Sequence, residues 1–205
     1  MHQYPSDVAF TPAVKAVQVE KGSRSSYARM ERGGGWETTV TPELKAFLTD
    51  CDMFYLGTAT AGGQPYIQYR GGPEGFLQVV DEKTLAFADF GGNRQYITVG
   101  NLSENPAAFV FLMDYARSRR IKLWGTARVV EDDAALLERL SDPSYSGKVE
   151  RAILFEITAW DLNCPQHIHR RFTRKQVAPV IEQLQERIAE LETRLQRFES
   201  QAATE

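Results

Sequence analysis

The chain has 205 residues, of which 42% are hydrophobic and 25% charged, a globular composition sized for one domain with appendages. Its formal charge of −3 excludes the net basic field of a general nucleic-acid or membrane-surface binder, while leaving room for a local cluster that holds a small anion. No apolar run of about 18 residues occurs, and MHQYPSDVAF lacks a charged segment followed by an apolar one, so a cytoplasmic protein is expected.

In chain order, Thr11-Pro12 and Thr41-Pro42-Glu43 each place a capping hydroxyl before a proline, predicting short helices at both points. Between them GSRSSYARMERGGGW combines a short helical pattern with a glycine loop. Residues 1–50 therefore read as a helical arm over a core. From Asp52 the period changes to that of strands: DMFYLGTAT, a turn at Ala61–Gln64, then PYIQYR, GFLQVVD, TLAFADF, AAFVFLMD, RIKLWGTARVVE and AILFEITAW. Short connections between these runs predict an antiparallel barrel, mainly β with flanking helices (α+β), over residues 51–174. Helices are expected around Arg94–Leu102 and at DDAALLERL. In residues 175–205, Val177, Ile181, Leu184, Ile188, Leu191, Leu195 and Phe198 alternate in steps of four and three, a heptad seam. Such a seam serves either to pair with a partner or to pack on the chain's own barrel.

FADFGGNRQY suggests an anion site. Strand alternation gives one face of TLAFADF the small side chains Ala86 and Ala88, against which something flat would lie, with Asp89 on the other face. Gly91 and Gly92 permit a positive-φ turn whose N–H groups form a nest, and Arg94 adds a planar fork suited to phosphate. Gln68 and Arg70 share one face of PYIQYR, as Arg120, Lys122 and Trp124 share one of RRIKLWG. A plain turn with a surface arginine, beside solvated strand faces, accounts for the same residues.

GQPYIQYR, LAFADFGGNRQ, NLSENP and RRIKLWG, in this order, resemble the pyridoxamine 5'-phosphate oxidase family of FMN-binding split barrels, with a weaker similarity at Trp160–Phe172. The resemblance implies an antiparallel FMN-binding split β-barrel and a homodimer with flavin at the interface. The family's phosphate-holding Ser-Arg-Lys falls on Asn93, Arg94 and Gln95, and its strand arginine on Gln68 or Arg70. Arg120 replaces a glutamine that approaches the flavin, where a cation favours the anionic reduced ring. The implied cofactor-binding set is Gln68, Arg70, Ala88, Asp89, Asn93, Arg94, Gln95, Arg120, Lys122, Trp160 and Arg171.

The closing NCPQHIHRRF resembles the family's Arg-Leu-His-Asp-Arg, with His169 and Arg171 matching and His167 in place of the substrate-phosphate arginine. The family's Tyr-Phe-x-x-Arg-Pro segment has no counterpart; SDPSYSGKVERA stands in that region. The resemblance thus implies a flavin-dependent oxidoreductase on another small molecule rather than a pyridoxamine phosphate oxidase. A non-catalytic flavin module or sensor, or an F420- or haem-binding split barrel, fits the same pattern. His169 is the candidate catalytic group, against a structural role as a turn anchor. Cys164, His167 and His169 lack a second ligand pair, so no metal is expected. Cys51 and Cys164 read as free thiols.

Overall fold

The structure, a computed structural model, describes residues 3–163 and 165–202. Met1–Asp114 and Arg119–Gln166 make one compact unit, and Tyr115–Ser118 with His167–Glu205 make another.

The first unit is built on seven strands: β1 (Met53–Ala59), β2 (Pro65–Gly71), β3 (Gln78–Val79), β4 (Thr84–Phe90), β5 (Ala107–Asp114), β6 (Arg119–Val130) and β7 (Val149–Asn163). All pair antiparallel in the order β2-β1-β5-β6-β7-β4-β3, a sheet that rolls up without closing. Together with the helices this is an α+β split barrel: the strand runs predict its antiparallel pairing and the resemblance implies its split form. Each sequence run becomes a strand, although GFLQVVD keeps only two paired residues; Phe76 and Leu77, just before them, are buried.

Alternation along β1 sends Phe54 and Leu56 inward to meet Phe87, Val110, Leu112, Ile121, Leu123, Ile153 and Phe155. Phe54 stacks on Phe76 at 5.4 Å and meets Phe87 edge-on at 4.9 Å. Each such buried side chain contributes roughly 1.5–3 kcal/mol relative to exposure. A second cluster lies on the other face of β4, where Ala86, Ala88 and Ala152 pack with Leu140. Leu140 ends the helix Ala134–Leu140, which the Asp133 carboxylate caps by accepting from the Leu136 N–H at 2.9 Å. The small-sided face of β4 is therefore filled by the chain's own helix, which corrects the expectation that something flat lies there.

Helices α1 (Pro12–Glu20), α2 (Arg24–Arg32) and α3 (Pro42–Thr49) precede the sheet. The Thr11 and Thr41 hydroxyls cap α1 and α3 as their spacing predicts. Trp36 stacks on Trp124 of β6 at 4.5 Å, and the Trp160 indole N–H donates to the Thr39 carbonyl at 2.8 Å. These two contacts hold the N-terminal segment against the sheet. The helix between β4 and β5, α4, runs Ile97–Glu104 and thus begins three residues later than the sequence pattern predicts. The helix Ala134–Leu140 is α5, and the second unit carries α6 (Arg174–Ala202). Among the described residues no helix is long and apolar enough to cross a membrane.

One ion cluster bridges the roll. Asp89, 5% exposed at the end of β4, accepts from Arg70 on β2 and, at 3.0 Å, from Arg151 on β7. Since β2 is one edge of the sheet and β4 lies next to the other, this carboxylate joins ends that no backbone ladder connects. Replacing it by Asn leaves the largely buried Arg70 guanidinium without its counter-charge and takes one of three carboxylate partners from Arg151. Asp89→Asn is expected to lower stability by about 3–5 kcal/mol, read by urea unfolding, and an unchanged midpoint would contradict the bridging role.

At Gly125 the β6–β7 register shifts, and a Cβ there would lie 2.0 Å from the Glu156 carbonyl oxygen. Gly125→Ala is accordingly expected to cost about 1–3 kcal/mol, the range for an overpacked site, with a thermal midpoint equal to that of the unaltered chain as the contrary result.

Candidate functional site

The Arg70–Asp89–Arg151 cluster floors a cleft of about 200 Å³ between β2, the segment after β4 and the start of α4. Gln68, Arg70, Asp89, Asn93, Arg94 and Gln95 all line it, so six of the eleven residues named from sequence converge on one place. They arrive from two separate stretches of the chain, β2 and the end of β4 with the turn after it.

The turn after β4 shapes the mouth. Gly91 donates its N–H to the Lys148 carbonyl at 2.9 Å, and Asn93 Oδ1 accepts from the Gln95 N–H at 3.2 Å, an Asx turn. The left-handed backbone falls on Arg94 (φ 57°) and Tyr96 (φ 53°), not on Gly91 and Gly92 as the sequence suggests. Such a conformation costs a non-glycine residue on the order of 1 kcal/mol and concentrates at functional turns. Tyr96 is also the N-cap of α4, whose N-terminus receives no side-chain cap. Ile97, Thr98 and Val99, in the first turn of α4, line the cleft.

Polar contacts fix α4 in position. Thr98 Oγ1 donates to Gln68 Oε1 at 2.9 Å, and Asn101 Nδ2 donates to Thr58 Oγ1 at 3.0 Å, both partners lying on the inner face of the sheet. Neither Thr98 nor Asn101 stands out in the sequence, because a polar residue facing a sheet reads the same as one facing solvent.

The guanidiniums differ in what they have left to offer. Arg151 is engaged by Asp89, by Glu131 at 2.8 Å and by Glu150 at 3.2 Å; burial works to lower its pKa, and Glu131 and Asp89 outweigh it and hold the value above the ordinary one. Arg70 pairs with Asp89 and lies over the Phe87 ring, yet its Nε is buried without a hydrogen-bond partner. Arg94 is exposed and has no ion-pair or hydrogen-bond partner among the described residues. An anion entering the cleft therefore meets one uncommitted guanidinium, that of Arg94, above a carboxylate whose charge is already used.

The remaining named residues lie elsewhere. Ala88 is 3% exposed in the α5 cluster and Trp160 is 2% exposed with its N–H spent on Thr39, so packing removes both from any ligand-accessible surface. Arg120 and Lys122 project from the face of β6 opposite Ile121 and Leu123. Lys122 sits over the Trp36 and Trp124 rings, 3.8 Å from Asp161; burial lowers its pKa and raises that of Asp161. Neither lines the cleft. Arg171 belongs to the second unit, where it lies over the Tyr115 ring, and His167 and His169 are exposed in that unit. Cys51 is buried, with its thiol pushed up to about 11 by desolvation, which makes it a packing residue; Cys164 lies outside the described residues.

Comparison with known proteins agrees with this architecture. The chain is similar in structure to a variant of HupZ from Group A Streptococcus, at 18% identity over 60% of this chain and 99% of that one, with a TM-score of 0.50. Similarity extends to a Clostridium acetobutylicum protein of the pyridoxinephosphate oxidase family related to general stress protein 26 (17%, 59% and 85%, 0.45) and to an F420 reductase (20%, 60% and 98%, 0.43). At these identities the likeness concerns the fold. No curated protein matches in sequence. The family model for pyridoxamine 5'-phosphate oxidase matches residues 40–163, which span β1 to β7 and every residue of the cleft, and the chain belongs to that family.

Proposed function

We propose that this protein binds FMN in the cleft beneath Arg94 and works as a flavin-dependent oxidoreductase on a small molecule other than pyridoxamine 5'-phosphate. The observation that carries this reading is the uncommitted Arg94 guanidinium, held in a left-handed turn beside the uncapped N-terminus of α4. A planar fork and a helix N-terminus converging on one cleft are the elements that recognise a terminal phosphate.

In this reading Arg94, Asn93 and Gln95 hold the phosphate, Arg70 and Gln68 flank it, and Asp89 fixes Arg70 without blocking it. The cleft, at about 200 Å³, is smaller than the roughly 300–1,000 Å³ usual for a whole cofactor. It suits the phosphate end, so the ring would extend beyond it, and Ile67 and Tyr69, exposed on the outer face of β2, would supply apolar area for a homodimer. Bound flavin supplies hydride transfer at its ring nitrogen N5, and the protein supplies position and charge. The substitution of His167 for an arginine, and the absence of the Tyr-Phe-x-x-Arg-Pro segment, support a substrate other than the vitamin phosphate.

Purified protein is expected to take up FMN and to show a flavin visible spectrum that bleaches on reduction by a nicotinamide nucleotide or dithionite. A deazaflavin or haem spectrum, or failure to bind added FMN, would contradict the cofactor assignment. Flavin that never passes electrons to an acceptor would leave a binding module in place of an enzyme. Arg94→Ala is expected to weaken FMN binding by about 1.5–3 kcal/mol, and unchanged affinity would remove Arg94 from the site. Turnover of pyridoxamine 5'-phosphate is expected to be negligible; a rate near 1 s⁻¹, ordinary for a dedicated enzyme, would overturn that expectation.

A further inference from the structure

Helix α6 is continuous from Arg174 to Ala202 and has no buried residue. Its seam residues Ile181, Leu184, Ile188, Leu191, Leu195 and Phe198 are 46% to 63% exposed, so nothing within their own unit covers them. The positions that flank the seam indicate what does.

From Ile181 onward the heptad places Ile181, Ile188 and Leu195 at the first core position, a, and Leu184, Leu191 and Phe198 at the second, d. Isoleucine at a with leucine at d is the pattern that favours two parallel strands. The charges beside the seam sort by sign. Arg187 and Arg194 occupy successive g positions, while Glu192 and Glu199 occupy successive e positions. In a parallel, in-register pair each g residue faces the e residue of the following heptad on the other helix, which matches Arg187 with Glu192 and Arg194 with Glu199. An antiparallel pair sets g against g and e against e, opposing arginine to arginine and glutamate to glutamate. Pro179, the one proline inside the helix, takes the outward f position and leaves the seam unbroken. Over residues 181–201 every outward position except Ala189 is polar.

We propose that α6 pairs with α6 of a second copy of this chain as a parallel, in-register two-stranded coiled coil over residues 181–201. The pair spans about 30 Å at 1.5 Å per residue. Arg187, which bonds Glu190 within its own helix, exchanges an exposed ion pair of small worth for one that also fixes orientation. This inference is independent of what the cleft binds, because it rests on α6 alone.

The test uses the full chain carrying a single new cysteine, oxidised in glutathione buffer and resolved on a non-reducing gel against the unaltered chain. Leu191→Cys, at d, is expected to give a disulfide-linked dimer, whereas Glu186→Cys, at f, gives none. Adding Glu192→Arg and Glu199→Arg to the Leu191→Cys chain is expected to cut cross-linking about tenfold. Mixing that chain with one carrying Leu191→Cys, Arg187→Glu and Arg194→Glu restores it as a heterodimer. Failure of Leu191→Cys to cross-link, or equal cross-linking at positions 186 and 191, would overturn the pairing. Cross-linking that survives the charge reversal undiminished would overturn the parallel arrangement.

Discussion

The Asp89 carboxylate is the point on which both fold and cleft depend. Two guanidiniums, from β2 and β7, converge on it in a largely dehydrated setting. Neither pair stands out in the chain: 19 and 62 residues separate the partners. The energetic value of such a buried cluster lies less in net attraction than in the penalty for disrupting it, since each unpaired charge would be stranded away from water. Because that penalty falls on the sheet's open edge, it specifies how far the sheet rolls. It also fixes where the floor of the cleft lies.

From that floor the rest of the site follows by local rules. β4 ends at Phe90, the chain turns through Gly91 and Gly92, and the strained Arg94 and Tyr96 deliver it into α4. Thr98 and Asn101 then tie the helix back to β2 and β1. The cleft is thus closed by secondary structure on two sides, and among the described residues its one uncommitted cation stands on the turn. Under the proposed reading this separates scaffold charges, which pair among themselves, from the charge that meets the ligand.

Strand existence was legible in the sequence from runs rich in aromatic and branched residues bounded by turn residues, and β1 and β2 show the two-residue alternation of burial, although in β2 the polar Gln68 and Arg70 face inward and the apolar Ile67 and Tyr69 outward. Helix starts were legible at Thr11-Pro12 and Thr41-Pro42, where capping is a local interaction. The small face of β4 was misread because Ala86 and Ala88 look the same whether a ligand or a helix covers them, and what covers them comes from α5, some 50 residues later. The glycines after β4 drew attention as the positive-φ positions, yet neighbouring Arg94 and Tyr96 adopt that conformation, a choice set by the anchoring of Gly91 to Lys148 and by the Asn93 side chain. Arg70 was legible only as a cation on a strand. Its pairing with Asp89 is a tertiary fact.

The central claim is that the cleft under Arg94 recognises a phosphate attached to a flavin, and paired fluorescence titrations with FMN and riboflavin test it most directly, because the two ligands share the ring and differ in that group. A charge-assisted contact of about 1.5–3 kcal/mol predicts that FMN binds at least about tenfold more tightly than riboflavin. Equal affinity for the two would contradict the account.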